Sequence, residues 1–292
     1  MDTGIFSNQE KREKTELVLS NVFNLPTIPS LMLEINKLLE KPQTTNTELA
    51  NIIGKDQGIA SKVLSIANSP FYGLPRKVST IDFAIIIIGL QDIRNIVTAL
   101  SMVEAFKNKT DRVLDYKDFW MHSIITGLAA KKIAEDLGYR SGSEAFVSGL
   151  LHDLGISIIH KYLHSVFQVI CHSVENEKYS FQDAEIEALG LTHQDIGKYL
   201  GIKWNLPPAH CDTILNHHMP SQATENKLLT SVVHIADYAT QVLDAGDFYW
   251  DKNYKLDESV LETCGFDNMA RLEKFLGGYK ELFIQETASL KF

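Results

Sequence analysis

Helical periodicity is the feature that most constrains how this chain can fold. Apolar residues recur at three- and four-residue spacing in almost every segment, and convincing stretches of alternating polar and apolar residues are absent. We therefore predict an all-α protein. The β-branched run at residues 84–88, bounded by Thr80 and Gly89, would also suit a buried strand. We predict a short buried helix there, because a lone strand would leave its backbone groups without partners.

Four helix starts carry the spacing of a capping box, in which a hydroxyl side chain accepts a hydrogen bond from the backbone N–H three residues later. The four pairs are Thr45 with Glu48, Ser141 with Glu144, Ser180 with Asp183, and Thr192 with Asp195. The pattern also predicts a long helix near residues 115–137.

The composition describes an ordinary globular chain: 292 residues, 45% of them hydrophobic and 22% charged. Its 28 Lys and Arg against 37 Asp and Glu give a net charge of −9, which argues against binding to nucleic acid or to an anionic membrane. Charges near the amino terminus occupy the place of a signal peptide's apolar stretch, so we expect a cytoplasmic protein. Three widely spaced cysteines are predicted to be reduced and structural, namely Cys171, Cys211 and Cys264.

The histidines are distributed unevenly. All ten lie between His122 and His234, so only the second half of the chain offers imidazole ligands. A chain of this length is also near the size at which one hydrophobic core divides into two. We predict an N-terminal helix or extension at residues 1–24, a helical lobe at 25–110, and a second helical lobe at 111–292 that holds any metal site.

The strongest local signal for chemistry is the adjacent pair His152 and Asp153, which closes an apolar helical segment just before Gly155. Both side chains can reach one cavity. An imidazole and a carboxylate together suit first-row divalent metals, and a carboxylate can bridge two ions. The alternative is a histidine favoured by the helix dipole beside a solvated aspartate.

Further histidines are candidates to join this pair. His122 lies in the middle of an apolar helix, where a core histidine with satisfied hydrogen bonds is the alternative. His193 follows the predicted cap Thr192, and the dipole at a helix start favours a neutral imidazole. His217 and His218 end the next helix and can offer two nitrogens to one metal, or serve as caps.

Asp237 completes the set of candidates. It lies within an apolar helix, where an unpaired charge is costly and a cation would offset that cost. His234 is one turn earlier on the same face, so it is a candidate to support the ligands through a hydrogen bond.

These residues, in their order along the chain, resemble the metal-ligand pattern of the HD superfamily of metal-dependent phosphohydrolases, including its two-metal members. Other segments are similar to the HDOD family within that group. They are residues 25–29 (LPTIP), 67–73 (ANSPFYG), 84–89 (AIIIIG) and 204–207 (WNLP). The resemblance extends from about Leu25 to Asp237, which is most of the chain.

The resemblance implies an all-helical regulatory or output protein of bacterial signalling. HDOD members frequently lack several HD ligands and have no general activity assigned to them, whereas this chain keeps what looks like a full set. It departs from the similar HD-GYP phosphodiesterases, because Ile156 follows Gly155 where they carry a phosphate-contacting lysine. The segment from His217 to Pro220 (HHMP) also lacks their Gly-Tyr-Pro motif, which argues against hydrolysis of a cyclic dinucleotide.

The resemblance also predicts how one or two ions would be held. For a dinuclear site, we predict His122, His152 and Asp237 on one ion, His193, His217 and His218 on the other, and Asp153 bridging in the catalytic centre. Nitrogen and oxygen ligands without thiolate favour iron, manganese, zinc or nickel. Two such ions would suit hydrolysis of a phosphoester. The nearby cations are more typical of solvated helix surfaces, namely Lys131, Lys132, Arg140 and Lys161.

Two non-catalytic hypotheses compete with hydrolysis. In one, the metal is structural or vestigial and the chain presents a surface to a signalling protein partner. Phe71 and Tyr72 lie in a Pro-flanked loop that could anchor such a partner, although a loop folded onto the core is the stronger expectation. In the other, the chain senses a phosphorylated small molecule or nucleotide without turnover.

Overall fold

The computed structural model describes residues 7–21, 30–39, 41, 44–106, 113–140, 142–177, 180–246, 248–251 and 255–289. Within these ranges the chain forms seventeen α-helices and no strand, which confirms the all-α prediction. The first six helices are α1 (Asn8–Asn21), α2 (Ser30–Leu39), α3 (Asn46–Gly54), α4 (Gln57–Ala67), α5 (Ile81–Ile88) and α6 (Leu90–Phe106).

All ten histidines lie on the helices that follow or in the turns between them. They are α7 (Tyr116–Asp136), α8 (Gly142–Leu151), α9 (Leu154–Tyr162), α10 (His164–Glu177), α11 (Phe181–Leu189), α12 (His193–Lys203), α13 (Pro208–Asn216) and α14 (Lys227–Val242). Three short helices end the described chain: α15 (Ser259–Cys264), α16 (Met269–Gly277) and α17 (Lys280–Ser289). Single 3₁₀ turns lie at Pro70–Tyr72, Pro220–Gln222 and Tyr249–Asp251.

The predicted helix starts are confirmed wherever the structure describes them. Full capping boxes begin α3 and α12, formed by Thr45 with Glu48 and by Thr192 with Asp195. Ser180 caps α11 by accepting a hydrogen bond from the backbone N–H of Asp183. Helix α7 lies between its caps Asp115 and Leu137, as predicted. Ser141 and the 25–29 segment lie outside the described residues.

The isoleucine run forms the helix α5, which confirms that interpretation over a strand. Ala84, Ile85 and Ile88 are buried on one face, whereas Ile86 is 65% exposed on the other. The helix ends at Gly89, whose φ of 99° lies in the left-handed region that favours glycine. The Thr80 side chain caps the start by accepting from the backbone N–H of Phe83.

One continuous hydrophobic core extends through both halves of the chain. Helix α6 joins the halves, because it packs against α2, α4 and α5 on one side and against α8 and α9 on the other. The predicted lobe boundaries, at 24/25 and 110/111, fall outside the described residues, and the division into lobes stays a prediction.

Both ends of the described chain pack across this division. Helix α1 lies on α11, where Lys11 forms an ion pair with Glu187 and the Thr15 hydroxyl donates to the carbonyl of Leu189. Helix α17 packs on the 3₁₀ turn at Pro70–Tyr72, with the rings of Phe71 and Phe283 5.5 Å apart. The loop with Phe71 and Tyr72 therefore folds onto the core, and its role in partner binding stays a prediction.

Two further observations bear on the class of protein. Cys171, Cys211 and Cys264 are buried and form no disulfide, as predicted. In the described part of the chain, no single helix has the length and apolar composition to cross a membrane. Two pairs of consecutive helices have that length and composition when taken together, but each pair is sharply bent.

Candidate metal centre

The structure brings all seven sequence-predicted ligand side chains into one buried cluster. Each is at most 6% exposed. They come from α7 (His122), the turn between α8 and α9 (His152 and Asp153), the start of α12 (His193), the end of α13 (His217 and His218) and α14 (Asp237). Such a concentration of buried polar groups is costly unless they are paired or bind an ion.

Close helix crossings at glycines make this convergence possible. Gly127 of α7 and Gly149 of α8 face each other so closely that a Cβ on Gly149 would lie 2.8 Å from the Cα of Gly127. This crossing places His122 of α7 beside His152, which follows α8. On the other side, Gly155 of α9 packs on the backbone of His193 at the start of α12.

The ligand atoms form two groups, within each of which the atoms lie within 4.8 Å of one another. Group A comprises His122, His152 and Asp237, and group B comprises Asp153, His193, His217 and His218. In group A, Asp237 Oδ1 lies 3.3 Å from His122 Nε2 and 3.8 Å from His152 Nε2. Each group could hold one metal ion.

Asp153 faces both groups with different oxygen atoms. Its Oδ2 lies 3.2 Å from His152 Nε2 and 3.6 Å from His122 Nε2. Its Oδ1 lies 3.5 Å from His193 Nε2 and 3.5 Å from His217 Nε2. One carboxylate is thus positioned between the two groups, with one oxygen for each.

The tautomers of four imidazoles are fixed by their Nδ1 atoms. His122, His152 and His217 donate from Nδ1 to backbone carbonyls, those of Gly246, Gly149 and Ile214 respectively. His193 donates from Nδ1 to the carboxylate of Glu185. A carbonyl or carboxylate only accepts, so a neutral ring carries the lone pair of Nε2 into the cluster.

Three of these Nε2 atoms face the Nε2 of another imidazole. The Nε2 atoms of His122 and His152 are 3.2 Å apart, and those of His193 and His218 are also 3.2 Å apart. Two bare acceptors at this distance repel unless a cation or a proton lies between them. No well-aligned hydrogen bond from the described residues reaches the buried carboxylate oxygens of Asp153 and Asp237 either. The donor set therefore fits divalent transition metals.

The electrostatics of the cluster also favour positive charge. Burial raises the pKa of Asp153, but the charge of His152 and the contacts of His152 and His217 outweigh burial and hold that pKa well below its ordinary value. Burial lowers the pKa of His122, yet Asp237 outweighs it and raises the pKa above its ordinary value. Burial and neighbouring imidazoles lower the pKa of His217 and of His218 to about 3, so both are neutral, as metal ligands must be.

Two residues around the ligands hold the geometry. His234 donates from Nδ1 to the backbone carbonyl of His217 at 2.6 Å and accepts from the backbone N–H of Asp257, so it supports the end of α13. Glu185, which the sequence analysis did not single out, is fully buried and contacts His193. Its signal is positional, because it lies on the apolar stripe of α11 with Phe181, Ala184 and Ala188.

Three of the four cationic candidates bond to groups outside the cluster. Lys131 forms ion pairs with Asp92 and Glu135, and Lys132 with Asp136. Lys161 donates to the carbonyl of Ala105. Arg140 is exposed.

The model of the HDOD domain matches residues 25–220. This chain belongs to the HDOD family. The match covers the ligands from His122 to His218, and the fold described above is the all-helical fold of the structural relatives.

Individual relatives have low sequence identity to this chain, and those of known structure have a similar fold. An HDOD domain protein of unknown function from Geobacter sulfurreducens is 25% identical, with a TM-score of 0.76 over 97% of this chain and 98% of that one. A provisionally named metal-dependent phosphohydrolase from Shewanella amazonensis SB2B is 18% identical, with a TM-score of 0.67 over 97% of this chain and 98% of that one. An uncharacterised protein of Treponema pallidum (strain Nichols) is 25% identical over 78% of this chain, which spans only 44% of that protein.

Proposed function

We propose that this HDOD protein binds two divalent transition metal ions and hydrolyses a phosphoester in bacterial signalling. Group A would hold one ion and group B the other, with Asp153 shared between them. Iron, manganese, zinc and nickel all suit these nitrogen and oxygen donors. The structural relative provisionally named a metal-dependent phosphohydrolase supports the reaction class.

The observation that carries the proposal is the position of Asp153. A carboxylate whose function was only to cap a helix would turn toward one backbone terminus, but Asp153 caps α9 without any side-chain hydrogen bond. Its two oxygens instead face the imidazole pairs of the two groups at 3.2 to 3.6 Å. This is the arrangement that a bridging ligand requires.

The residues of the chain would perform two tasks. The Nδ1 hydrogen bonds of His122, His152 and His193 hold their rings so that Nε2 points inward, which removes the entropic cost of orienting ligands. The surrounding helices exclude bulk water and so strengthen electrostatic interactions in the cluster. Divalent ions, when bound, supply Lewis acidity that activates water and neutralises charge on phosphoryl oxygens.

Metal content tests the first part of the proposal. Protein purified without chelators or nickel resin is analysed by mass spectrometry, wild type beside the double variant His152→Ala/Asp153→Ala. We expect near two ions per chain in the wild type and none in the double variant. A wild type that stays metal-free after reconstitution with Fe²⁺, Mn²⁺, Zn²⁺ and Ni²⁺ would overturn the proposal.

Turnover tests the second part. Metal-loaded wild type is screened against phosphomonoesters and phosphodiesters, and Asp153→Asn is assayed on any substrate found. We expect Asp153→Asn to abolish turnover while circular dichroism shows the helical fold retained. Turnover at the wild-type rate in this variant would remove Asp153 from the catalytic centre.

A non-catalytic role is the second candidate, and the closed surroundings of the centre favour it. The seven ligand side chains are buried, and Lys131, Lys132 and Lys161 bond to groups outside the cluster. In that case the metal would stabilise a module that senses a nucleotide or binds a signalling protein, with Phe71 and Tyr72 as candidate contacts. Two bound ions, no turnover and saturable nucleotide binding by calorimetry would favour sensing over hydrolysis.

A further inference from the structure

Glu185 is a fully buried carboxylate that belongs to neither ligand group. Its Oε1 accepts from Nδ1 of His193 at 2.9 Å and from the indole Nε1 of Trp250 at 2.7 Å. Its Oε2 accepts from the backbone N–H of His193 at 2.8 Å. No lysine or arginine in the described part of the chain forms an ion pair with it.

A buried carboxylate without a cationic partner is expensive, and three neutral donors offset only part of that cost. Of the groups that contact Glu185, one can carry further stabilisation of its negative charge. The imidazole of His193 connects it to the cluster, because the Nε2 of that ring faces Asp153 and His218. Positive charge at group B would therefore be felt by Glu185 through the ring.

We propose that Glu185 is a positioning residue for His193, and that it makes group B the tighter of the two metal positions. This inference rests on the proposed metal binding. The reason is a difference between the groups. His122 and His152 of group A donate from Nδ1 to neutral backbone carbonyls, whereas His193 of group B donates to a carboxylate. A carboxylate accepts more strongly and makes the opposite ring nitrogen a better metal donor.

The surroundings hold Glu185 in place for this task. Helix α11 begins at the Ser180 cap, five residues before Glu185. The Oε2 atom of Glu185 accepts a hydrogen bond from the backbone N–H of His193 at the start of α12. Trp250 is itself immobilised, because its ring stacks on Phe167 and Phe181 with centroid distances of 4.6 and 4.2 Å. The carboxylate is thus fixed before any ion binds, as a preorganised support should be.

Glu185→Gln is the matching variant. The amide is nearly isosteric, but its NH₂ group must face an N–H donor, since every contact of Glu185 is with a donor. Nδ1 of His193 lies 2.9 Å from Oε1 and 3.0 Å from Oε2, so the one amide oxygen can still accept from it, while Trp250 or the backbone N–H of His193 loses its acceptor. A neutral amide oxygen accepts less strongly than a carboxylate, so Nε2 of His193 becomes a weaker ligand.

The test is a titration of the whole chain with Co²⁺, followed by calorimetry and by visible absorption, which reports the ligands of each ion. We expect the wild type to bind two ions, the tighter one at group B. Glu185→Gln should weaken the tighter position by about 10- to 100-fold and leave the weaker one unchanged. Glu187→Gln, on the exposed side of the same helix, is the control and should match the wild type.

The outcomes separate this inference from the proposed function. A wild type that binds no Co²⁺ contradicts the metal centre itself. Two ions in the wild type and unchanged affinities in Glu185→Gln would overturn the role of Glu185, as would equal weakening of both positions. Nitrogen NMR of the wild type provides a test that needs no variant: His193 must be the Nδ1–H tautomer, and an Nε2–H tautomer in the metal-free protein would overturn the inference.

Discussion

The backbone carbonyl of His193 lies against Gly155 so closely that a Cβ at residue 155 would approach its oxygen to 1.9 Å. This contact joins the start of α9, which follows Asp153, to the start of α12, which begins with His193. No side chain can move aside to relieve it, because both partners are backbone atoms. Gly155 therefore sets the distance between Asp153 and His193.

Gly155→Ala should consequently damage both stability and the candidate site. We expect the free energy of unfolding to fall by about 1 to 3 kcal/mol, as for overpacking elsewhere, measured by urea denaturation. Binding of Co²⁺ at group B should weaken more than binding at group A. The control is Gly277→Ala at the end of α16, where a Cβ meets nothing within 4 Å. Equal unfolding free energies and equal Co²⁺ binding in the two variants would show that Gly155 does not pack against the backbone of His193.

The facing imidazole nitrogens predict that metal stabilises the fold. The Nε2 atoms of His122 and His152 lie 3.2 Å apart beside the buried carboxylates of Asp153 and Asp237, and a bound cation would offset these buried negative charges. At a free metal concentration a hundredfold above Kd, one site adds about 3 kcal/mol to the free energy of unfolding. Thermal denaturation with Mn²⁺ and after chelation measures the change. The double variant His152→Ala/Asp153→Ala should show no response to metal.

Variants in single groups should remove single ions. We expect His122→Ala to lose the ion of group A, and His218→Ala the ion of group B, so that mass spectrometry finds one ion per chain in each. His210→Ala is the control, because His210 is a buried histidine that bonds to Ser148 and belongs to neither group. Loss of both ions in His122→Ala with the fold retained would show that the two positions are not separable.

Much of this arrangement could be predicted from the sequence, because the information is local. The period of apolar residues predicts the helices, and hydroxyl residues before them predict their starts at Thr45 and Thr192. The candidate ligands stand out because His122 and Asp237 are polar residues in apolar helices, where only a partner justifies them. Their convergence in space could be expected from the order of the motif.

Other features depend on how helices cross, which local pattern does not encode. Glu185 lies on the apolar stripe of α11, but this pattern does not reveal which donors a buried carboxylate would contact. Its burial follows from the packing of α11 against α10 and α1. Gly149 and Gly246 accept hydrogen bonds from His152 and His122 through their backbone carbonyls, which a pattern of side chains cannot predict. The docking of α17 on the turn at Pro70–Tyr72 is likewise a contact between distant segments.

That docking contains a buried acid with an unusual pKa. Glu286 of α17 is 0% exposed and accepts a hydrogen bond from the Ser69 hydroxyl at 2.5 Å. Burial raises its pKa from 4.5 to about 7, although hydrogen bonds from Ser69 and from the backbone of Phe71 oppose the rise. The folded state therefore prefers the protonated acid more than the unfolded state does.

The sign of the pH dependence follows from this preference. Below pH 4.5 the acid is protonated in both states, and its contribution to stability is fully present. As the pH rises through about 7 the folded state must bury a charge, so that contribution is lost.

The variant Glu286→Gln stays neutral, so its free energy of unfolding should increase relative to that of the wild type as the pH rises. We expect the difference in unfolding free energy to grow by about 2 to 3 kcal/mol between about pH 5 and pH 8, measured by urea denaturation. Glu187→Gln, whose side chain is 68% exposed, should show a change below about 1 kcal/mol. A difference for Glu286→Gln that is the same at both pH values would mean that the carboxyl is solvated and that α17 does not seal it against Ser69.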